Sequence, residues 1–596
     1  MTYGKILYID LNNEKYREIK IDAGVIRSFI GGKGLGAYLL YKMLKKNIDP
    51  LSPDNMLMFL TGPLTGTEYP TSGRITVVTK SPLTNLFNDS HAGGYFGPEL
   101  RKAGYDGVII YGKSEEPTYI WISDDIEFRD ARHLWGADIE KTVKVIRDET
   151  DPRAHIASIG PAGENLVRFA SINIDKDSDP WRSGIAGRGG PGAVMGSKNL
   201  KAIAVKGYKK IELYDKEGFH RVAVERMRKV NKDKFLRIRR QIGTSYWVDP
   251  MNAFGILPSY NFQRGYIDDA VGLYGTYLRD FVKRIVSCYN CPISCGKIVS
   301  RDGSDVKVEY EGIALLGSNN GIRDVLDVAD AMKLCNTLGL DAISTGNVIG
   351  FIMECRERGL IDEGPRFGDK DGQLKLIKMI AYRRGIGDLL ADGVKRASEV
   401  IGRGSHKFAM HVKGLELPGY EPRSSWGMAL AYATSDRGGC HQRAWTTKAE
   451  LTGVLKRFSI EGVADYVKRT QDERAAAFSL IVCDFLPDYD ITALKYAVGL
   501  EYDLNEYLKV GERIWNLTRL FNIREAGVSR EDDSLPARVF EDPLPLPPKG
   551  DKYIRLPKED FNKMLDEYYK LRGWDSNGIP TESKLNELGL KSLLGD

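Results

Sequence analysis

The sequence predicts an α+β protein, sheet-rich in its first third and mainly helical after it, and two observations carry that expectation. Up to Val205, short alternating or apolar runs recur between glycine-bearing connections. From about Tyr208 onward the apolar residues fall at helical spacing instead. A third observation bears on chemistry: three of the seven cysteines stand together in Cys288-Tyr-Asn-Cys291-Pro-Ile-Ser-Cys295.

Residues 5–11 and 15–21 read as two strands around Asn12-Asn13, a hairpin. A helix follows, opened by Gly31-Gly32-Lys33-Gly34-Leu35-Gly36. That run resembles a dinucleotide fingerprint, but the strand–helix–strand order of a Rossmann unit is not laid out around it, so it reads as a tight helix entry. Further strands are expected at 56–60, 75–79, 107–111, 118–122, 154–159 and 202–205. Glycines concentrate in three segments read as connections: His91-Ala-Gly93-Gly94, Gly160-Pro-Ala-Gly163 and Gly184-Ile185-Ala-Gly187-Arg188-Gly189-Gly190. Each alone is an ordinary sharp turn. Together with Arg74 and Arg188, which can pair with phosphate in two-pronged fashion, they predict a cradle for an anionic, phosphate-bearing cofactor.

In the helical part, 215–240 carries nine lysines and arginines. A solvated face is the plain reading of such a run, and an acidic protein partner is the functional one. After the cysteines, 297–300 and 306–310 flank Asp302-Gly303, a hairpin signal that would place Glu309 and Glu311 on one side of the chain. Helices are expected at 325–338, 345–358, 373–384, 386–401 and 558–571, with a short one from Thr581. Leu340-Asp341 leads into a helix whose amino end can receive an anion. Asp436-Arg437-Gly438-Gly439-Cys440-His441-Gln442-Arg443 sets a thiol, an imidazole and two guanidiniums in one glycine-flanked loop, a functional combination.

With 596 residues the chain is too long for one core. A formal charge of +5 without a long single-sign block implies no nucleic acid. No apolar run of 18 residues occurs and the first residues lack a signal-peptide core, so no membrane association and a cytoplasmic location are expected. Disulfides are then not expected, and clustered thiols point to metal. Abundant Lys, Arg and Glu suit a thermophile. Zinc sites usually show two paired knuckles, and no second pair exists here. Three thiolates at x2 and x3 spacing suit three corners of an iron–sulfur cube, with a fourth ligand from among Cys335, Cys355, Cys440 and Cys483. Cys483, ending the apolar run 475–482 before Asp484, has a setting that fits.

These residues resemble one family. Cys288-x2-Cys291-x3-Cys295, Glu311, Leu340-Asp341, Arg437-Gly-Gly-Cys-His441 and Cys483 look like the tungsten-containing aldehyde:ferredoxin oxidoreductases. So do Lys80-Ser-Pro-Leu-Thr84, Gly93-Gly-Tyr-Phe-Gly97, Gly160-Pro-Ala-Gly-Glu-Asn165 and 192–201, over essentially the whole chain. The resemblance implies a sheet-rich base domain (1–208) and two mainly helical domains (209–415 and 416–596), with a bis-pterin metal cofactor and an iron–sulfur cluster between them. It implies tungsten bis-molybdopterin (tungstopterin) and a [4Fe-4S] cluster on Cys288, Cys291, Cys295 and Cys483. Arg74, Gly93, Gly187 and Arg188 would touch one pterin or its phosphate. His91 and Ile185 would offer carbonyls to a Mg2+ bridging the pterin phosphates. Asn336, Leu340, Asp341, Arg437, Arg443, Val482 and Asp484 would line the rest, with Glu311 and His441 as catalytic acid and base. The implied reaction oxidises aldehydes to carboxylic acids and passes electrons to ferredoxin, in a homodimer.

The sequence also departs from the family pattern. A pterin motif that begins with Asp in relatives reads Asn336-Thr-Leu-Gly339-Leu340-Asp341 in its first copy and Phe478-Ser-Leu-Ile-Val482-Cys483 in its second, so one ring contact is expected to be lost or replaced. An interfacial iron motif reads Asp330-Ala-Met-Lys333, and no such iron is expected. Gly184 stands where relatives have arginine, with Arg182 as a substitute. Trp181, Trp247, Tyr420, Trp426 and Trp445 are candidates to line the substrate pocket. The rival readings are a tungsten aromatic acyl-CoA reductase-type subunit and a metal-free electron-transfer or scaffold subunit.

Overall fold

A computed structural model describes residues 2–176, 179–301, 303–486 and 491–595, and the side chains of 175–183 are also outside the description. The Trp181 and Arg182 assignments and the turn residue Asp302 therefore lie outside the described residues.

Two six-stranded sheets build the first third. In one, β1 (Lys5–Asp10), β2 (Lys15–Lys20), β3 (Leu57–Leu60), β4 (Arg74–Lys80), β5 (Phe87–Gly93) and β6 (Gly107–Tyr111) are ordered β2-β1-β6-β3-β4-β5. In the other, β7 (Thr118–Ile122), β8 (Ile126–Asp130), β9 (His155–Ser158), β10 (Ile172–Lys176), β11 (Asp179–Ala186) and β12 (Leu200–Val205) are ordered β11-β10-β9-β12-β7-β8. Leu7, Phe59, Ile75 and Val108 from the first and Ile120, Ala157, Ile172 and Ile203 from the second share one apolar core, so the sheets pack face to face.

Strands with an apolar inner face are those the alternation predicts. The segment with His91 and Gly93 was expected as a connection and is instead the end of β5. Its inward positions include Asn88, Asp89 and Ser90, all buried, so polar residues hide the strand's period. Gly184 and Ile185 likewise lie in β11, opposite Ile174 and Asn173 of β10.

Helices form the remainder: α1 (Gly32–Met43), α2 (Lys216–Lys232), α3 (Lys234–Ile242), α4 (Val325–Leu338), α5 (Ala342–Glu357), α6 (Val463–Leu480), α7 (Leu504–Ala526) and α8 (Lys558–Arg572), with shorter ones between. α6 packs on α7, α1 and α8. The glycine run is explained by this packing: a Cβ at Gly34 would stand 2.7 Å from Ile514 Cδ1 and 2.9 Å from Ser479 Oγ, so glycine lets α1 lie flush between α6 and α7. The 215–240 stretch is two helices, because the Asp233 carboxylate accepts the Leu236 N–H at 2.9 Å and caps a new start. No described helix is long and apolar enough to cross a membrane.

A three-stranded sheet, β13 (Val282–Val286), β14 (Gly296–Arg301) and β15 (Ser304–Val308), carries the cysteine loop between β13 and β14. Glu309 and Glu311 do not share a side. Glu309 pairs with Lys307 at 2.8 Å near the surface, while the helical turn Tyr310–Gly312 swings Glu311 inward.

Candidate functional site

The cysteine loop turns tightly, with Cys291 N–H donating to Cys288 O at 3.2 Å. It is fastened to the β3–β4 connection: Thr71 N–H donates to Asn290 O (2.9 Å), and Asn290 Nδ2 to the carbonyls of Glu68 (2.6 Å) and Tyr69 (3.1 Å). Cys483 comes from beyond the end of α6, and its N–H donates to Thr71 Oγ1 at 3.3 Å. Thr71 therefore joins both cysteine segments. Burial raises the Cys291 thiol, and Cys288, Cys483 and Cys295 raise it further. Burial likewise pushes Cys483 up to about 12, with Asp484 and Cys295 adding to it against Arg74. Thiols that raise one another ionise together only around cationic charge, so this donor set suits a metal cluster. Among the described residues no three His, Cys, Asp or Glu side chains close on a single ion. Cys335 and Cys355 lie inside α4 and α5, and Cys440 beside Arg437.

Arg74, first residue of β4 and opposite Gly93, places Nη1 3.4 Å from Cys483 Sγ and 3.2 Å from Asp484 Oδ1. Arg188 donates to Gly439 O (2.7 Å) and Glu416 O and lies 3.4 Å from Asp341 Oδ2. Asp341 caps α5, accepting from the N–H groups of Ile343 and Ser344 at 3.3 and 3.1 Å. A Cβ at Gly187 would lie 3.1 Å from Asp341 Oδ1. Leu340 bridges to Ala170, and Val482 is buried. Asn336 reaches β10 through its carbonyl, which accepts Asn173 Nδ2 at 2.9 Å. At Gly184 a Cβ would stand 1.9 Å from Gly93 O, so no side chain fits where β11 meets β5.

Arg443 is the centre of a buried charge knot. Its Nε donates to Asp436 Oδ1 at 2.8 Å and its Nη2 to Asp89 Oδ1, while Lys33 Nζ bonds Asp89 Oδ1 (3.0 Å) and Asp436. Arg437 donates to Asp89 O and, at 3.0 Å, to Cys440 Sγ. His91 Nε2 meets Asp89 Oδ2 at 2.8 Å. The His91 side chain is 3% exposed although the residue as a whole is only half-buried, so what stands open is its main chain. Phe478 answers its altered motif: its ring lies 4.6 Å from the His91 ring and 5.5 Å below the Arg443 guanidinium. Arg437 Nε and Arg443 Nη1 are buried without a partner among the described residues, as donors facing an anionic cofactor would be. Lys33, Asp89 and Asp436 were missed in the sequence. A lysine within a glycine run and an acid two residues before His91 were the only signals.

Glu311 and His441 face each other, His441 Nε2 lying 3.6 Å from Glu311 Oε1, with side chains 20% and 19% exposed. Glu311 Oε2 accepts the Gly419 N–H at 2.9 Å, whereas the buried Oε1 has no hydrogen-bond partner. Burial lifts the Glu311 carboxyl to about 7 against Gly419 and Arg188. Burial, then Arg188 and Arg437, hold His441 down at about 3. Tyr420 lies 5.5 Å from His441 and 5.8 Å from Trp445, which meets Trp247 edge-on at 4.8 Å. Trp426 stands apart, against Phe458.

A sheet base, a four-thiol donor set and a buried acid–imidazole pair define an iron–sulfur oxidoreductase class. Family models described as "Aldehyde ferredoxin oxidoreductase, N-terminal domain" and "domains 2 & 3" match residues 6–207 and 221–590, and the chain belongs to the aldehyde ferredoxin oxidoreductase family. It is 41% identical to the tungsten-containing aldehyde ferredoxin oxidoreductase of Pyrococcus furiosus, covering 99% of each chain. It is 39% identical to that of Thermococcus kodakarensis over the full length of both. It is 34% identical to the WOR-like subunit of an aliphatic sulfonate oxidoreductase of Pyrococcus furiosus, over 98% and 97%. Among solved structures, the active-site complex BamBC of benzoyl coenzyme A reductase matches with a TM-score of 0.85 at 27% identity, over 99% of this chain and 97% of that one. The protein is thus an oxidoreductase of a tungsten-containing family, with tungstopterin and an iron–sulfur cluster as the family's cofactors.

Proposed function

We propose that this enzyme oxidises aldehydes to carboxylic acids, RCHO + H2O → RCOOH + 2 H+ + 2 e−, and delivers the electrons one at a time to ferredoxin. Tungsten held by two pterin dithiolenes supplies the two-electron acceptor, and a [4Fe-4S] cluster on Cys288, Cys291, Cys295 and Cys483 relays single electrons. Arg74, Gly93, Gly187, Arg188, Asn336, Leu340, Asp341, Arg437, Arg443, Val482 and Asp484 hold the pterins, and the open carbonyls of His91 and Ile185 suit a Mg2+ between their phosphates. Arg74, in contact with Cys483, ties the pterin side to the cluster side.

The observation that carries the reading is the Glu311–His441 pair. A carboxyl held at about 7 with one oxygen free is matched to proton transfer at neutral pH, so Glu311 Oε1 takes the proton from water or from the hydrated aldehyde. His441, neutral above about pH 3, donates its ring N–H to the aldehyde oxygen. Tyr420, Trp445 and Trp247 wall the approach, where the apolar part of the aldehyde packs.

Anaerobically purified holoenzyme is expected to reduce a viologen dye with simple aldehydes and not with benzoyl-CoA. Turnover with benzoyl-CoA alone would replace this reading by the acyl-CoA reductase one. No turnover from protein that contains iron but no tungsten or molybdenum would support the electron-transfer subunit.

A further inference from the structure

The helix α3 touches both segments of the cysteine set. Arg240 Nη2 donates to Pro292 O, next to Cys291, and at 3.1 Å to Asn231 Oδ1 at the end of α2. Arg239 lays its guanidinium 3.9 Å from the Phe485 ring centre, two residues beyond Cys483. The inner arginines of this basic stretch are thus spent on covering the thiols. The outer ones are not. Arg221, Arg228 and Lys232 follow one face of α2, and Lys234 and Arg237 continue it on α3. All five are exposed, and none has a carboxylate within ion-pair distance among the described residues. The acid on that face, Glu225, pairs with Lys229 at 2.9 Å. Ile238, 44% exposed, adds an apolar point between them.

A solvated helix has no need to concentrate unpaired charge of one sign, and self-repulsion disfavours it. The same arrangement suits brief docking of a negatively charged carrier, in which steering by charge sets the encounter and the contact area stays small. We propose that the outer face of α2 and α3, with Arg221, Arg228, Lys232, Lys234 and Arg237, docks a small acidic iron–sulfur protein so that its cluster faces the Cys288–Cys295 loop. This rests on the reading above that the electrons leave to ferredoxin, and it assigns the surface through which they leave.

The test uses holoenzyme carrying Lys234→Glu with Arg237→Glu, and separately Arg228→Glu with Lys232→Glu, and a purified acidic [4Fe-4S] ferredoxin. Direct binding at low salt is expected to weaken by about tenfold or more in either variant, and the steep salt dependence of the wild type to flatten. The KM for ferredoxin rises in parallel, while aldehyde oxidation with a viologen dye, which needs no docking face, stays at the wild-type rate. Binding and ferredoxin KM within twofold of wild type in both variants would overturn the proposal. Because binding is read without aldehyde, a wild type that binds ferredoxin through this face yet oxidises no aldehyde counts against the substrate reading and leaves the docking surface standing.

Discussion

Two buried clusters of acid and base in this molecule look alike in composition and differ in how completely they are paired. In the knot of Lys33, Asp89, Asp436 and Arg443, each carboxylate meets two cations, and every side chain is 2% exposed or less. Burial opposes ionisation there, but Arg443, Lys33 and His91 hold the Asp89 carboxyl well below the usual range. Glu311 has one amide and an imidazole 3.6 Å away, and burial lifts it to about 7. One residue type is driven in opposite directions by the number of its partners. Saturated charge makes a scaffold that welds α1 and β5 to the Asp436–Arg443 loop, and under-partnered charge makes a group that can move a proton.

Removing the Glu311 carboxylate breaks this comparison on the reactive side. Glu311→Gln should lower kcat by about 10²–10⁴. It should leave the unfolding midpoint unchanged or slightly raised, since no ion pair of stability is lost. A midpoint that falls along with the rate would make Glu311 a structural residue. On the scaffold side, Asp89→Asn leaves Lys33 and Arg443 short of a buried counter-charge and should cost about 3–5 kcal/mol in denaturant unfolding. A loss below about 1 kcal/mol, the worth of a surface pair, would show that the knot is not the weld described.

The Glu311 shift also sets a pH profile. With its carboxyl at about 7, the base is protonated below that value, so kcat/KM should climb about tenfold from pH 6 to its plateau and lose this limb in Glu311→Gln. A profile rising instead through the ordinary glutamate range would contradict the burial argument. The smallest effect is expected at Phe478→Leu, where ring contacts to His91 and Arg443 are worth about 0.5–1.5 kcal/mol beyond area. Pterin and metal content should survive that change.

How far the sequence revealed each cluster follows from the same contrast. Strands with apolar inner faces, such as β1, β6 and β7, were legible from alternation, and the cysteine loop from its spacing. β5 was hidden because Asn88, Asp89 and Ser90 face inward to meet distant cations, a burial that composition argues against. Glu311 and His441 were visible through the motifs around them, yet nothing local says that one carboxyl oxygen is left unpaired, since that depends on Gly419 arriving from another segment. The charged stretch at 215–240 was visible as charge, but its division at Asp233 and the contact of Arg240 with Pro292 exist only in three dimensions. Phe478 read as a lost contact, and folding supplied the replacement.

The central claim is that under-partnered groups here surround a tungsten centre fed by a four-thiol cluster, and metal content per chain tests it most directly. Protein purified without oxygen from cells supplied with tungstate and molybdate should carry about one tungsten and about four irons, the stoichiometry of one pterin metal and one cube. Iron without tungsten or molybdenum would contradict the account, and Glu311 and His441 would then have no oxidation to serve.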